Sequence, residues 1–134
     1  MRSQRDRDRL NLLTEQIVDA GFEVHRELGP GLLETIYEDC IAIELDSRGI
    51  PFERQKPVPV VYKGKLASTP FRLDLIVGAE IILELKSVDK ILSVHQAQLL
   101  TYLKLTGCPV GLILNFNSAL FKEGIKRMVN HFDD

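Results

Sequence analysis

The chain has 134 residues, enough for one domain with its own core and too few for two. Hydrophobic residues make up 45% and charged residues 27%, the balance of a globular protein, and no apolar run approaches the ~20 residues of a membrane span. A net charge of −2 and a pI of about 5.9 argue against a broad electropositive surface for long nucleic acid, though not against a local groove.

Residues 1–9 alternate arginine and aspartate without an apolar partner. They are expected to be a frayed or disordered lead-in that is no secretory signal, followed by a single domain over 10–134. From Leu13 the positions Leu13, Ile17, Gly21, Val24 and Leu28 recur at helical spacing, and Gly29-Pro30-Gly31 stops the helix. A second helix is predicted from about Leu32 to Arg48 on the stripe Tyr37, Ile41 and Leu45. Phe52 to Tyr62 carries valines and two prolines, which suits an edge strand, and Lys63-Gly64-Lys65 reads as a turn.

Phe71–Val77 and Ile81–Lys86 are two strong strands flanking Gly78-Ala79-Glu80. Ser93, with Gln96 three residues on, opens a helix that runs to about Thr106. Pro109–Phe116 is short and almost wholly apolar, as in a buried parallel strand. The tail from Leu120 to Val129 fits a helix or a strand. The order α-α-β-β-β-α-β plus a tail element predicts an α/β fold with helices on both faces of a mixed sheet. Cys40 and Cys108 lack metal-type spacing and are read as free thiols in a reducing cytoplasm.

If Gly78-Ala79-Glu80 is a three-residue hairpin loop, Val77 faces Ile81, Ile76 faces Ile82, Asp74 faces Glu84 and Arg72 faces Lys86. One face of the ribbon is then Phe71, Leu73, Leu75, Val77, Ile81, Leu83 and Leu85. The other carries Ile76 and Ile82, then Asp74, Glu84, Arg72 and Lys86. Directly opposed carboxylates with Cβ atoms ~5 Å apart repel unless a cation lies between them. Two solutions exist: cross-strand ion pairs with Arg72 and Lys86, or a hard divalent ion such as Mg²⁺. Lys86 lies two residues from Glu84 and projects from the same face.

Asp74 followed after nine residues by Glu84-Leu85-Lys86 resembles the signature of the PD-(D/E)XK nuclease superfamily. Gly31-Leu32-Leu33-Glu34-Thr35-Ile36-Tyr37 resembles the G-x-x-E-x-x-Y motif of one small-protein family within it, and Gln98-Leu99-Leu100-Thr101-Tyr102 is similar to the Q-x-x-x-Y helix motif of its exonuclease branches. The similarity spans about Leu13 to Val129; Leu73 stands where many members have a proline before the first acid. The resemblance implies a three-layer, restriction-endonuclease-like α/β/α sandwich around a central mixed sheet. It implies Asp74 and Glu84 as ligands of Mg²⁺ or Mn²⁺, Lys86 as the catalytic lysine, and Glu34 as the helix-borne acid completing the metal site.

Glu34 shares the stripe of Tyr37, Ile41 and Leu45, or else is a first-turn glutamate favoured by the helix dipole. Gln98 and Tyr102, one turn apart, either orient the lysine or a substrate phosphate, or form a structural network with His95. Tyr37 is read as core. The expected activity is metal-dependent hydrolysis of phosphodiester bonds in DNA or RNA, by a monomer or a homodimer. The alternatives are a silent nuclease-fold scaffold and a subunit active only with a partner. Basic residues that could flank a groove are Arg2 to Arg9, Arg54 and Lys56, Lys63 and Lys65, and Lys122 to Arg127.

Overall fold

The computed structural model describes residues 2–133. The first helix, α1, spans Gln4–Leu28 and reaches back into the stretch expected to be frayed. Ser3 is the reason: its Oγ accepts the Asp6 amide at 3.1 Å and caps the helix. Gln4 donates to Asp8 one turn on, and Arg9 clasps Glu80 at 2.6 Å. The helix buries Leu10, Ile17, Ala20 and Val24 on one face. The second helix, α2, spans Glu34–Ser47, with Tyr37, Ile41 and Leu45 fully buried as the stripe predicts.

Strand β1 is Phe52–Val58, and a small separate hairpin follows, β2 (Val61–Tyr62) with β3 (Lys65–Leu66). Strands β4 (Phe71–Val77) and β5 (Ile81–Lys86) form the predicted hairpin, with Val77 opposite Ile81. Helix α3 is Ser93–Thr106, β6 is Val110–Asn115, and the tail resolves into a 3-10 turn (Phe121–Gly124) and strand β7 (Ile125–Val129). The main sheet has the order β1-β4-β5-β6-β7; β5 and β6 are parallel and the other pairs antiparallel. β1 therefore lies at an edge, as its prolines predict, and β6 is wholly buried.

Helices α1 and α2 cover one face, packing on Leu75, Val77, Ile81, Leu83 and Leu85. Helix α3 covers the other, with Leu99 and Leu103 on Ile76, Ile82 and Ile113. The close seat of α3 depends on Gly111, where a Cβ would meet Leu99 Cδ1 at 2.8 Å. The result is the expected three-layer α/β/α sandwich around a mixed sheet.

The faces of β4 depart from strict alternation. Leu73 and Phe71 pack with the α3 cluster and not beside Leu75 and Val77, so β4 changes face at Asp74. Strict alternation had placed Phe71 and Leu73 with Leu75; the cause of the switch lies in the neighbouring strand.

Candidate metal centre at the open end of the β4–β5 hairpin

β1 and β4 pair without interruption from Phe52↔Val77 to Val58↔Phe71, except that the rung of Gln55 opposite Asp74 is missing. Gln55 has φ of +50°, a left-handed backbone that a non-glycine residue adopts at some cost. A long-range contact holds it: Gln55 Nε2 donates to Glu38 Oε1 at 2.6 Å. Glu38, buried on α2, also accepts from Arg54 Nε and Nη2 at 3.0 and 2.8 Å. The kink turns β4 over and opens the sheet beside Asp74.

On the other side of Asp74, β4 and β5 pair only from Val77↔Ile81 to Leu75↔Leu83, so the expected rungs of Asp74 with Glu84 and Arg72 with Lys86 do not form. Beyond that rung the carboxylate fills the gap, with Asp74 Oδ2 accepting the Leu85 amide at 2.8 Å. One carboxylate oxygen is thus fixed by backbone, in the sheet's own hydrogen-bonding plane. Gln55→Val is expected to close this opening, because a β-branched residue strongly disfavours positive φ. Urea unfolding should show a loss of about 1–3 kcal/mol. Gln55→Gly, which keeps the conformation, should lose less.

Glu84 is only 7% exposed, and its Oε1 has no hydrogen-bond partner. Burial pushes its carboxyl up to about 9, and the adjacent Asp74 carboxylate adds to the rise by charge and side-chain hydrogen bonding; the charge of Lys86 and a backbone hydrogen bond at Asp74 oppose it. An orphaned carboxylate oxygen beside a second carboxylate is a donor set that a hard divalent cation accepts, so the residues present fit such an ion. Lys86 is half-buried at the end of β5, in register with Asn115 of β6. Asn115 fixes the chain that leaves the site: its Oδ1 accepts the Val88 amide at 3.1 Å and its Nδ2 donates to the Val88 carbonyl at 2.9 Å.

Tyr102 walls the site from α3. Its ring stacks on Phe71 at 4.3 Å, and burial raises its hydroxyl pKa, helped by the charges of Glu84 and Asp74 and opposed by a hydrogen bond with Gln98. Gln98 is itself exposed. The structure thus brings together Asp74, Glu84, Lys86 and Tyr102, with Gln98 at the rim.

Glu34 is exposed at the first turn of α2 and does not join the two carboxylates. Among the described residues no group of three or more His, Cys, Asp or Glu side chains is spaced for a metal ion. The loop before Glu34 is nevertheless tied to the site end of β5, since Ser87 Oγ donates to the Leu32 carbonyl at 2.6 Å. The spacing between the loop and Tyr37 has a structural basis. Tyr37 donates to the Gly29 carbonyl at 2.6 Å, accepts the Leu32 amide at 3.1 Å and stacks on Phe116.

His95 caps α3: its Nδ1 accepts the Leu92 amide at 3.0 Å, so Leu92 is the N-cap and Ser93 the first helical residue. Gln55, Asn115 and Phe71 carry parts of the site that motif spacing missed. For Asn115 a signal existed, a polar residue ending an otherwise apolar buried strand.

A family model described as the PD-(D/E)XK nuclease superfamily matches residues 11–128, which takes in every helix and strand of the sandwich except the first turns of α1 and the end of β7. No curated protein and no solved structure gives a significant match. With the family model covering most of its length, the open β4–β5 hairpin and its acid, acid and lysine belong to a member of the PD-(D/E)XK nuclease superfamily.

Proposed function

We propose that the protein is a metal-dependent nuclease that hydrolyses phosphodiester bonds of DNA or RNA, a GxxExxY-type member of its superfamily acting in the cytoplasm. The observation that carries this reading is the buried, unpartnered Glu84 Oε1 beside Asp74. Superfamily membership supports the reaction class, and nucleases of this superfamily generally use divalent metals. Asp74 and Glu84 would hold Mg²⁺ or Mn²⁺, with all-oxygen ligation favouring these over zinc. A bound ion supplies Lewis-acid polarisation of the phosphate and lowers the pKa of water.

The chain's own residues do the rest. The Leu85 amide orients Asp74. Lys86 projects from the same strand face as Glu84 and stabilises the negative charge that develops on the phosphate oxygens. Tyr102 and Phe71 form an apolar wall that excludes water from one side and strengthens those interactions. Gln98, exposed one turn before Tyr102, would hydrogen-bond a substrate phosphate.

The test is calorimetric titration of Mg²⁺ and Mn²⁺ into wild type and Asp74→Ala, paired with cleavage of plasmid, single-stranded DNA and RNA by wild type and Lys86→Ala. Metal binding should vanish in Asp74→Ala. Cleavage by Lys86→Ala should fall by roughly 100-fold or more. If neither metal binds, even with nucleic acid present, the reading fails. The exposure of Glu34 supports a second reading, a silent nuclease-fold scaffold or a subunit whose partner completes the site. Binding without cleavage of any substrate would favour it. A homodimer that supplies the missing acid is the simplest form of such a partner, and light scattering with and without metal would detect it.

A further inference from the structure

The small β2–β3 hairpin has no part in the core. Every residue from Val61 to Pro70 is exposed, including Val61 (61%), Tyr62 (68%) and Leu66 (70%). A two-stranded hairpin with large apolar side chains in water gains nothing for the fold, and its ladder alone is marginal. Its side chains sort by face. Val61 pairs with Leu66 on one side and Tyr62 with Lys65 on the other, while Lys63 Nζ sits 5.5 Å from the centre of the Tyr62 ring.

The charge around it is one-sided. From Arg54 to Leu73 there are five cationic residues and no acid, in a chain whose net charge is −2. Arg54 and Lys56 are taken up by Glu38, Asp39 and Glu53; Lys63, Lys65 and Arg72 form no ion pair among the described residues.

The hairpin also rises from the correct end of the sheet. It joins Val58 to Phe71, the last rung of β1 and β4, and Phe71 stacks on Tyr102, whose hydroxyl senses Glu84 and Asp74. The end of β4 at Phe71 is the end at which β5 finishes in Lys86.

We infer that the β2–β3 hairpin is a substrate arm that holds an unpaired stretch of nucleic acid, with a base stacked on Tyr62 and phosphates paired with Lys63 and Lys65. Unpaired chain is favoured over duplex for two reasons. A single projecting aromatic ring gains energy only from a base whose face is free. Three cations outside any ion pair among the described residues, one of them (Arg72) already donating to the Gln55 carbonyl, also make too short a basic surface to grip a long duplex. The inference rests on the nuclease reading for its substrate class, yet binding in the absence of metal tests it separately from cleavage.

The experiment is fluorescence anisotropy in chelator, with labelled oligothymidylate, oligouridylate and a blunt duplex, on wild type, Tyr62→Ala, Tyr62→Phe and Lys63→Ala/Lys65→Ala. Because these side chains are exposed and lie outside the core, melting temperatures should move little. Tyr62→Ala should weaken single-strand binding by roughly 5- to 150-fold, with Tyr62→Phe restoring it. The double lysine variant should reduce the slope of log affinity against log salt by about 0.7 for each lysine removed. The thymidylate and uridylate arms separate DNA from RNA.

The inference is overturned if wild type binds no single strand, if Tyr62→Ala stays within twofold of wild type, or if duplex binds more tightly and responds equally. A change in oligomeric state on Tyr62→Ala with unaltered oligonucleotide affinity would also overturn it, in favour of a contact between copies. Arm-dependent binding without cleavage in metal would leave the arm standing and remove the nuclease reading. Cleavage that ignores all arm variants would do the reverse.

Discussion

Glu84→Gln is expected to make the metal-free protein more heat-stable above neutral pH than the wild type, while abolishing divalent-ion binding. Burial pushes the wild-type carboxyl up to about 9 in the fold, from about 4.5 for an ordinary glutamate. A raised folded pKa means that its favourable contribution is fully present below the lower value and is lost as pH rises toward the upper one. Across that window the apoprotein must either hold a proton on Glu84 or bear a buried charge next to Asp74. Glutamine has the same shape and no charge to desolvate, so the variant's stability should be flat where the wild type's falls. The difference should be on the order of a few kcal/mol at the alkaline end. Metal reverses the order: binding stabilises only the wild type, by mass action, and releases a proton as it does so. Thermal melts in chelator and in excess Mg²⁺ across this pH range check both halves. Parallel pH profiles for the two proteins would show that burial places no such penalty on the Glu84 charge.

Gly124→Ala should cost the fold about 1–3 kcal/mol, or more if the 3-10 turn cannot shift. A Cβ at this position would lie 2.3 Å from the Asn115 carbonyl oxygen and 2.8 Å from Ser118 Oγ. The nearer obstacle is backbone of a buried central strand, which cannot rotate aside. Gly111→Ala makes a useful contrast, because its clash is with the Leu99 side chain at 2.8–3.0 Å and not with backbone, so α3 and Leu99 can shift to relieve part of it. Urea midpoints should therefore rank Gly124→Ala below Gly111→Ala. The effect should also reach the site, since the strand end that must move carries the Asn115 side chain that clamps Val88, two residues beyond Lys86. Weaker Mg²⁺ binding in Gly124→Ala than in Gly111→Ala, at temperatures where both are folded, is the expected sign.

What was legible in the sequence was what local pattern controls. The stripe Tyr37, Ile41 and Leu45, the three-residue loop that sets Val77 opposite Ile81, and the apolar run of β6 each declare their geometry within a few residues. The family motifs added the superfamily, which the family model over residues 11–128 bears out. What could not be read depends on partners distant in the chain. The left-handed Gln55 is held by Glu38, seventeen residues earlier, so nothing near Asp74 announces that β4 turns over there. The start of α1 was missed because a polar helix without an apolar stripe is stabilised by its Ser3 cap and its surface pairs. Helical spacing placed Glu34 on the buried stripe, yet as the first residue of its helix it is exposed, and burial on that stripe begins only at Tyr37.

The kink at Gln55 bears on the behaviour of the molecule in solution as well as on Asp74. β1 is an edge strand, and an unbroken seven-residue edge is a template on which a second chain can add its own strand. With one residue in the left-handed region and Pro57 lacking an amide, that edge offers only short, misaligned runs of hydrogen-bonding groups. The same distortion that interrupts the sheet beside Asp74 therefore guards against aggregation. A variant that straightens β1 should lose ion affinity and solubility together.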